Sequence, residues 1–312
     1  MYQRNDTLTE ATMILFLLLI WGPSVLGAVI ALALRLTLLR GAPRLSTRDA
    51  VITAVAGGVP VIVFLAPLAG DFGFGPQLWW DLGSRTALPL ILGIVSVILL
   101  CFPSRSTQMD ASAQLVPRTV RTFLRPRQPI LLGVLATVAV ALALAAGAAS
   151  ETDERGEYTR FSITLGSSGT SASTGIYGWH YSLPSLALLG VLLLATAIGW
   201  LLIPRPAWSY DIDRDTAIRR LRAANIARIA CGAVLLHLAV VFSSLRGTAS
   251  MMLSAQAGPL GMVSLGTPFA AMEPALFVAW ALSTTAGIAL WLLTALSGVP
   301  MGARTPSQVR TS

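Results

Sequence analysis

Seven stretches of the chain are long and apolar enough to cross a lipid bilayer, and this constrains the fold before any motif does. They are residues 11–34, 50–69, 86–102, 129–149, 183–203, 226–245 and 274–297. Each approaches the roughly 20 residues that an α-helix needs to cross a hydrocarbon core about 30 Å thick. None contains Asp, Glu or Lys, and His or Arg occurs only in the sixth. Backbone in lipid must satisfy its own hydrogen bonds, so such runs are helices. Composition agrees: 54% hydrophobic and 12% charged residues leave too little polar surface to solvate a 312-residue globule. The expected fold is an all-α integral membrane protein with seven transmembrane helices. It forms one polytopic domain over residues 1–302, followed by an unordered tail at 303–312.

The first run follows MYQRNDTLTE, where Asp6 and Glu10 oppose Arg4. Its apolar part exceeds the roughly 7 to 15 residues of a secretory signal core, so it reads as a retained span. Arginine then sets the orientation, because cytoplasmic loops keep the excess of positive charge. With the N-terminus outside and the C-terminus cytoplasmic, 17 of the 22 basic residues lie inside and only Arg4, Arg85, Arg155, Arg160 and Arg246 lie outside. The acids divide the other way, nine outside and five inside. The net charge of +8 is therefore spread over juxtamembrane loops, where anionic inner-leaflet lipid supplies its partner. Nucleic acid is not an expected partner.

Two inner segments concentrate arginine. In PRTVRTFLRP, residues 117–126, and the preceding Val116, the apolar Val116, Val120, Phe123 and Leu124 share one helical side, while Arg118, Arg121 and Arg125 share another. Pro117 suits the start of a helix and Pro126 its end. The favoured expectation is an interfacial helix with its apolar side in the acyl boundary and its arginines on phosphates; the sharper one is a docking helix for a cytoplasmic partner. In DIDRDTAIRRLRAAN, residues 211–225, acids precede arginines and Asp215 sits four residues before Arg219. A helix beginning near Asp213 should continue into the sixth span. Its Arg219, Arg220 and Arg222 are expected to face lipid phosphate, with contact to a cytoplasmic ATPase as the alternative.

Outside, residues 150–182 open with the acidic ETDERGE, alternate through Phe161, Ile163 and Leu165, turn at GSSG and return along TSASTGIY. This predicts a small extracytoplasmic β-hairpin. Tyr177, Trp179 and Tyr181 then belong to the aromatic belt before the fifth span. Residues 247–271 carry no charge and read equally as a loop, an interfacial helix or a re-entrant dip broken at Gly258-Pro259. Small residues recurring every four positions, Ala275, Ala279, Ser283 and Gly287 in the last span and Ala139, Ala143 and Gly147 in the fourth, are packing seams that permit a homo-oligomer. Pro23, Pro60 and Pro67 mark expected kinks.

The chain has no lysine, which excludes a retinal-type Schiff base and a phosphate-binding GxxxxGK[ST] loop. Two histidines, no HExxH and no paired carboxylate within a span leave metalloprotease, di-metal and proton-relay chemistry without their residues. No catalytic residue, cofactor or metal site is expected. His237, near the middle of the sixth span, is the one intramembrane polar candidate. The favoured expectation for it is a neutral imidazole bonded to a hydroxyl or carbonyl of a neighbouring helix. Arg228 should snorkel to the inner surface. Cys101 and Cys231 lie in the reducing, cytoplasmic half and imply no disulfide.

GIYGWHYSLPSLALL followed by DRDTAIRRLRAANIARI resembles a set of uncharacterised polytopic membrane proteins of high-GC Gram-positive bacteria, over residues 150–245. The resemblance implies a multi-pass protein of the bacterial plasma membrane, in some cases partnered with an ABC-type ATPase. The expected function is a non-catalytic, permease-like membrane subunit of a transport or export system driven by that separate ATPase. The alternative is a stand-alone envelope sensor or scaffold that reads the envelope through residues 150–182.

Overall fold

Each apolar run forms a helix, and every one of these helices begins before its run does. The computed structural model describes residues 2–71, 81–102, 120–165, 170–204, 212–256 and 262–299. In chain order these form α1 (Tyr2–Leu38), α2 (Thr47–Asp71), α3 (Leu82–Cys101), α4 (Val120–Phe123), α5 (Arg127–Ala148), β1 (Glu151–Thr152), β2 (Tyr158–Leu165) and β3 (Thr170–Gly175). They continue with α6 (Trp179–Leu202), α7 (Ile212–Ala249), β4 (Met252–Gln256), β5 (Met262–Gly266) and α8 (Glu273–Ser297). All the helices but α4 are long and apolar enough to span a bilayer. The chain is a multi-pass membrane protein.

Capping accounts for where α3 starts. The Asp81 carboxylate accepts from the Ser84 N–H at 3.3 Å and from its hydroxyl at 2.5 Å. These bonds satisfy N-terminal donors that have no partner within the helix, and the Ser84 hydroxyl holds the Asp81 carboxyl below the usual carboxylate range. Pro23, Pro60 and Pro67 lie inside continuous helices, as do Pro89 and Pro184.

The sixth span is the axis of the bundle. Its helix, α7, has 38 residues, about 57 Å at 1.5 Å per residue, so it reaches well beyond the hydrocarbon core. Within it 72% of the apolar span is buried, against 28 to 50% in the other six. A helix that is apolar all round belongs in a core, and ARIACGAVLLHLAVV is such a sequence. Contacts along its length fix the threading. Thr86, Gly93 and Leu100 of α3 meet His237, Ala233 and Arg222 of α7 in antiparallel order. On the other side Gly287, Trp291 and Ser297 of α8 meet Leu236, Gly232 and Asn225.

Glycines let α7 and α8 approach closely from both sides. A Cβ added to Gly232 would lie 2.5 Å from the Trp291 ring, and one added to Gly287 would lie 2.6 Å from Leu236. The Trp291 indole, fully buried across Gly232, donates to the Ile229 carbonyl at 3.0 Å. Small residues here let backbones approach, which is how helices associate where lipid is as apolar as leucine. The expected seams are thus used in part. Ser283 and Gly287 are buried in α8 and Ala139, Ala143 and Gly147 in α5, whereas Ala275 is exposed.

One end of the bundle carries two antiparallel sheets. The segment expected as a hairpin is a three-stranded sheet in the order β1-β2-β3, with Arg160 opposite Gly175 and Leu165 opposite Thr170. The extra strand comes from the acidic opening. Asp153 accepts the Arg155 and Glu157 N–H groups at 2.8 and 3.0 Å and the Thr159 hydroxyl at 3.0 Å, which folds ETDERGE back onto β2. Gly156, with φ +79°, makes the turn. The backbone donors hold the Asp153 carboxyl below the usual range. The GSSG turn lies outside the described residues.

Of the three expected readings of residues 247–271, a loop, an interfacial helix or a re-entrant dip, none includes the strand pair that the described residues form. Helix α7 runs on to Ala249, and β4 and β5 then pair from Met252 opposite Gly266 to Gln256 opposite Met262. Gly258-Pro259 lies outside the described residues. The Thr248 hydroxyl donates to Gly175 at 2.9 Å, Thr267 donates to Ala249 at 3.1 Å, and Phe161 meets Phe269 edge-on at 5.2 Å. These contacts join both sheets to the end of α7.

Candidate functional site

Between the sheet-end halves of α1, α2, α3, α7 and α8 lies a cavity of about 260 Å³. Its polar groups are Ser24 of α1, Arg85 of α3, Ser243 and Ser244 of α7 and Thr284 of α8. Phe64, Leu65 and Pro67 of α2 and Trp280 of α8 supply apolar wall. The helices grade it with depth. Arg85 lies in the first turn of α3, and Ser243 and Ser244 lie in the last two turns of α7, so these mark the rim. Leu88 and Ala239, one turn further in, are apolar. The five polar lining residues are spread over four helices. This volume is just below the usual small-molecule range, and its mixture of apolar wall with a few convergent polar groups is that of a ligand site.

Next to the cavity a polar thread crosses the bundle. His237 of α7 is 3% exposed; its Nδ1 lies 2.9 Å from the Thr86 carbonyl of α3 and its Nε2 lies 3.4 Å from the Tyr177 hydroxyl. A carbonyl only accepts, so Nδ1 carries the ring proton and Nε2 receives the phenol. Burial pushes the Tyr177 phenol up to about 12, which keeps it a donor. Both imidazole nitrogens thus have partners, and the neutral form meets its hydrogen-bonding needs here. Tyr177 is 1% exposed, which corrects its expected place in the aromatic belt. It packs with Ile176, Ala143, Ala146 and Val241, inserting the link from β3 to α6 between helices. Trp179 lies over Gly147 of α5.

At the opposite end the arginines do structural work that their positions in the sequence do not reveal. A helix leaves its last carbonyls without internal partners, and cations near that end also favour the dipole. Arg222 donates through Nε to the Leu100 carbonyl at 2.7 Å and through Nη2 to that of Phe102, closing the end of α3. Arg219 donates to the Ile203 carbonyl at the end of α6 and pairs with Asp215 at 2.8 Å. Arg35 of α1 donates to Leu39 and, across the bundle, to Val299 beyond α8, both at 2.5 Å. Arg219 is 3% exposed and lies over the Phe123 ring at 5.9 Å.

The remaining sequence candidates divide. Arg125 and Arg220 are exposed; Arg118 and the side chain of Arg121 lie outside the described residues. The expected helix at 117–125 is described only as α4, whose Phe123 is buried toward α7 rather than in acyl chains. α4 stops at Phe123, and Pro126 stands at the N-cap position of α5. Arg228 donates to Asn225 at 2.7 Å, and Asn225 donates to Ser297 of α8 at 2.9 Å. A crevice at this end, lined by Asp49, Leu100, Arg222 and Asn225 among others, holds about 40 Å³ and is of water size. Among the described residues no group of three His, Cys, Asp or Glu side chains could hold a metal.

In the sequence Arg85 reads only as an outer charge, and Ser24, Ser243, Ser244 and Thr284 are single hydroxyls inside or beside apolar runs. The dipeptide Ser243-Ser244 near the end of a long span is the signal that could have pointed to the cavity. Comparison of the chain with protein-family models, with curated proteins and with solved structures finds no match.

Proposed function

We propose that this protein is a non-catalytic, permease-like membrane subunit of a transport or export system of a bacterial plasma membrane. The single observation that carries the reading is the cavity of about 260 Å³ among five helices, polar at its rim and apolar beneath. The sheets face the cell exterior and the arginine-rich end faces the cytoplasm, in keeping with the positive-inside rule. Energy comes from a separate ATPase, since the chain lacks the lysine of a phosphate-binding loop. With Arg219 and Arg222 turned inward, contact with that subunit falls on Arg125 and Arg220, both exposed.

Affinity capture of the tagged chain from gently solubilised native membranes is expected to recover a nucleotide-hydrolysing subunit. The pair Arg125→Glu and Arg220→Glu should lower that recovery about tenfold, the effect of some 1.4 kcal/mol of lost interface. In a background free of Cys101 and Cys231, Ser173→Cys should react with an impermeant thiol reagent in intact cells and Arg220→Cys only after permeabilisation. Reaction in the reverse pattern removes the orientation and the coupling surface together.

A second reading, an envelope sensor, is favoured by the continuous polar path from the link after β3 through Tyr177 and His237 to Thr86 of α3. It predicts that Tyr177→Phe, which removes the hydroxyl and keeps the ring, uncouples the sheet from the bundle. Hydrogen exchange around Thr86 should then rise severalfold with the sheet itself unchanged; equal protection in both proteins sinks this reading.

A further inference from the structure

We infer that the five-helix cavity takes an uncharged amphiphile with a hydroxyl-bearing head, of the monoacylglycerol class, from the leaflet at the sheet end. The inference rests on the reading of the cavity as the ligand site and adds its chemical class. Charge is the first argument. Arg85, the one charged group among the described lining residues, is already engaged within the protein, and no carboxylate is among them. An ionic ligand would lose its hydration here and find no free counter-charge. The polar groups left for a ligand are the hydroxyls of Ser24, Ser243, Ser244 and Thr284.

Those hydroxyls are the second argument. Within a membrane helix a hydroxyl can return to the carbonyl one turn back, as those of Thr86, Thr196 and Thr294 do. Thr284 does the same to Trp280 at 2.8 Å and keeps only its acceptor side for a ligand. Ser24, Ser243 and Ser244 do not: among the described residues their hydroxyls have no hydrogen-bond partner, and Ser24 is only 6% exposed. A buried hydroxyl without a partner costs free energy, which a ligand hydroxyl, both donor and acceptor, recovers. Spacing is the third argument. Thr285 donates to the Pro23 carbonyl, so Ser24 and Thr284 stand at one level on adjoining helices. The ion pair of Arg246 with Glu273 and the contact of Leu236 with Gly287 set α7 against α8 so that this level lies about one turn, about 5.4 Å, inward of Ser243. The neighbouring hydroxyls of one polyol head reach both levels. Phe64, Leu65, Leu88 and Val240 offer a polyol nothing, so the body of the ligand is apolar. A volume of about 260 Å³ holds such a head with the first part of one chain and is too small for a two-chain lipid.

The test uses the full chain in phosphatidylcholine nanodiscs, with empty discs as the blank. The probes are a monoacylglycerol, the methyl ester and the lysophosphatidic acid of the same chain length, and free glycerol. The monoacylglycerol is expected to bind about tenfold more tightly than the ester, which lacks hydroxyls, and than the acidic lipid. Ser24→Ala should weaken monoacylglycerol binding about fivefold and leave the ester unchanged, and Ser243→Trp should expel both. Glycerol should not compete. Equal binding of monoacylglycerol and ester means that the hydroxyls serve water only and overturns the class, while the cavity reading stands if Ser243→Trp still expels them. Tighter binding of the acidic lipid overturns the uncharged assignment, and competition by glycerol overturns the lipid source. If no probe binds the unmodified protein, or Ser243→Trp changes none of them, the cavity reading fails with the inference. Ser24→Ala removes a single oxygen, so it decides the role of that hydroxyl even if Ser243→Trp does not fold.

Discussion

Replacing Asp215 by alanine is expected to destabilise the protein by about 3 to 5 kcal/mol, because it breaks a buried ion pair from one side. Asp215 and Arg219 are 5% and 3% exposed and bonded at 2.8 Å one helical turn apart. On the surface such a pair would contribute well under 1 kcal/mol. Here Arg219 is also committed to the Ile203 carbonyl and to the Phe123 ring, so it cannot swing into water to recover its hydration. Denaturation in mixed micelles should show the loss. The double variant Asp215→Leu with Arg219→Met should regain most of it, since removing both charges removes the penalty of burying either. A single variant as stable as the parent would mean that the pair is hydrated and that the end of α6 is held by something else.

Gly232→Val is the second large effect. The added side chain meets Trp291 at 2.5 Å and the Gly287 carbonyl at 3.1 Å, and the second of these neighbours is backbone. Overpacking in a tight core costs about 1 to 3 kcal/mol when side chains can yield, and more where the backbone must move. The expected result is separation of α8 from α7, seen as loss of monodisperse protein in detergent. Gly190→Val on α6 is the matched control, because a Cβ there meets nothing within 4 Å. If the two variants behave alike, the α7 and α8 contact is not the core of the bundle.

The membrane class and the seven crossings were legible because span length and the absence of charge are properties of a run of sequence, whatever its neighbours. The continuous helix from Ile212 into the sixth span was legible for the same local reason. What residues do across space was not. Arg219 and Arg222 read as surface charges, yet the carbonyls they meet, Ile203, Leu100 and Phe102, belong to other helices. Tyr177 read as a belt aromatic because aromatic residues before a span usually are; its insertion beside His237 depends on a turn whose path only tertiary packing sets. The hairpin of β4 and β5 was missed because residues 247–271 alternate weakly and carry no charge to mark a polar face. The cavity was the least legible feature, since its lining comes from five helices and no two of its polar groups but Ser243 and Ser244 are neighbours in sequence.

The pairing of α1 with α8 bears on how the chain is made. Thr285 of α8 donates to the Pro23 carbonyl of α1, Gly27 lies against Thr285 and Ile288, and Arg35 reaches Val299. Helix α1 therefore leaves the ribosome more than two hundred residues before the surface it is built to meet. During that interval its polar notch at Pro23 and its cationic end at Arg35 must be sheltered by lipid, by the insertion machinery or by a chaperone. Arrival of the final span is the event that gives α1 its partner.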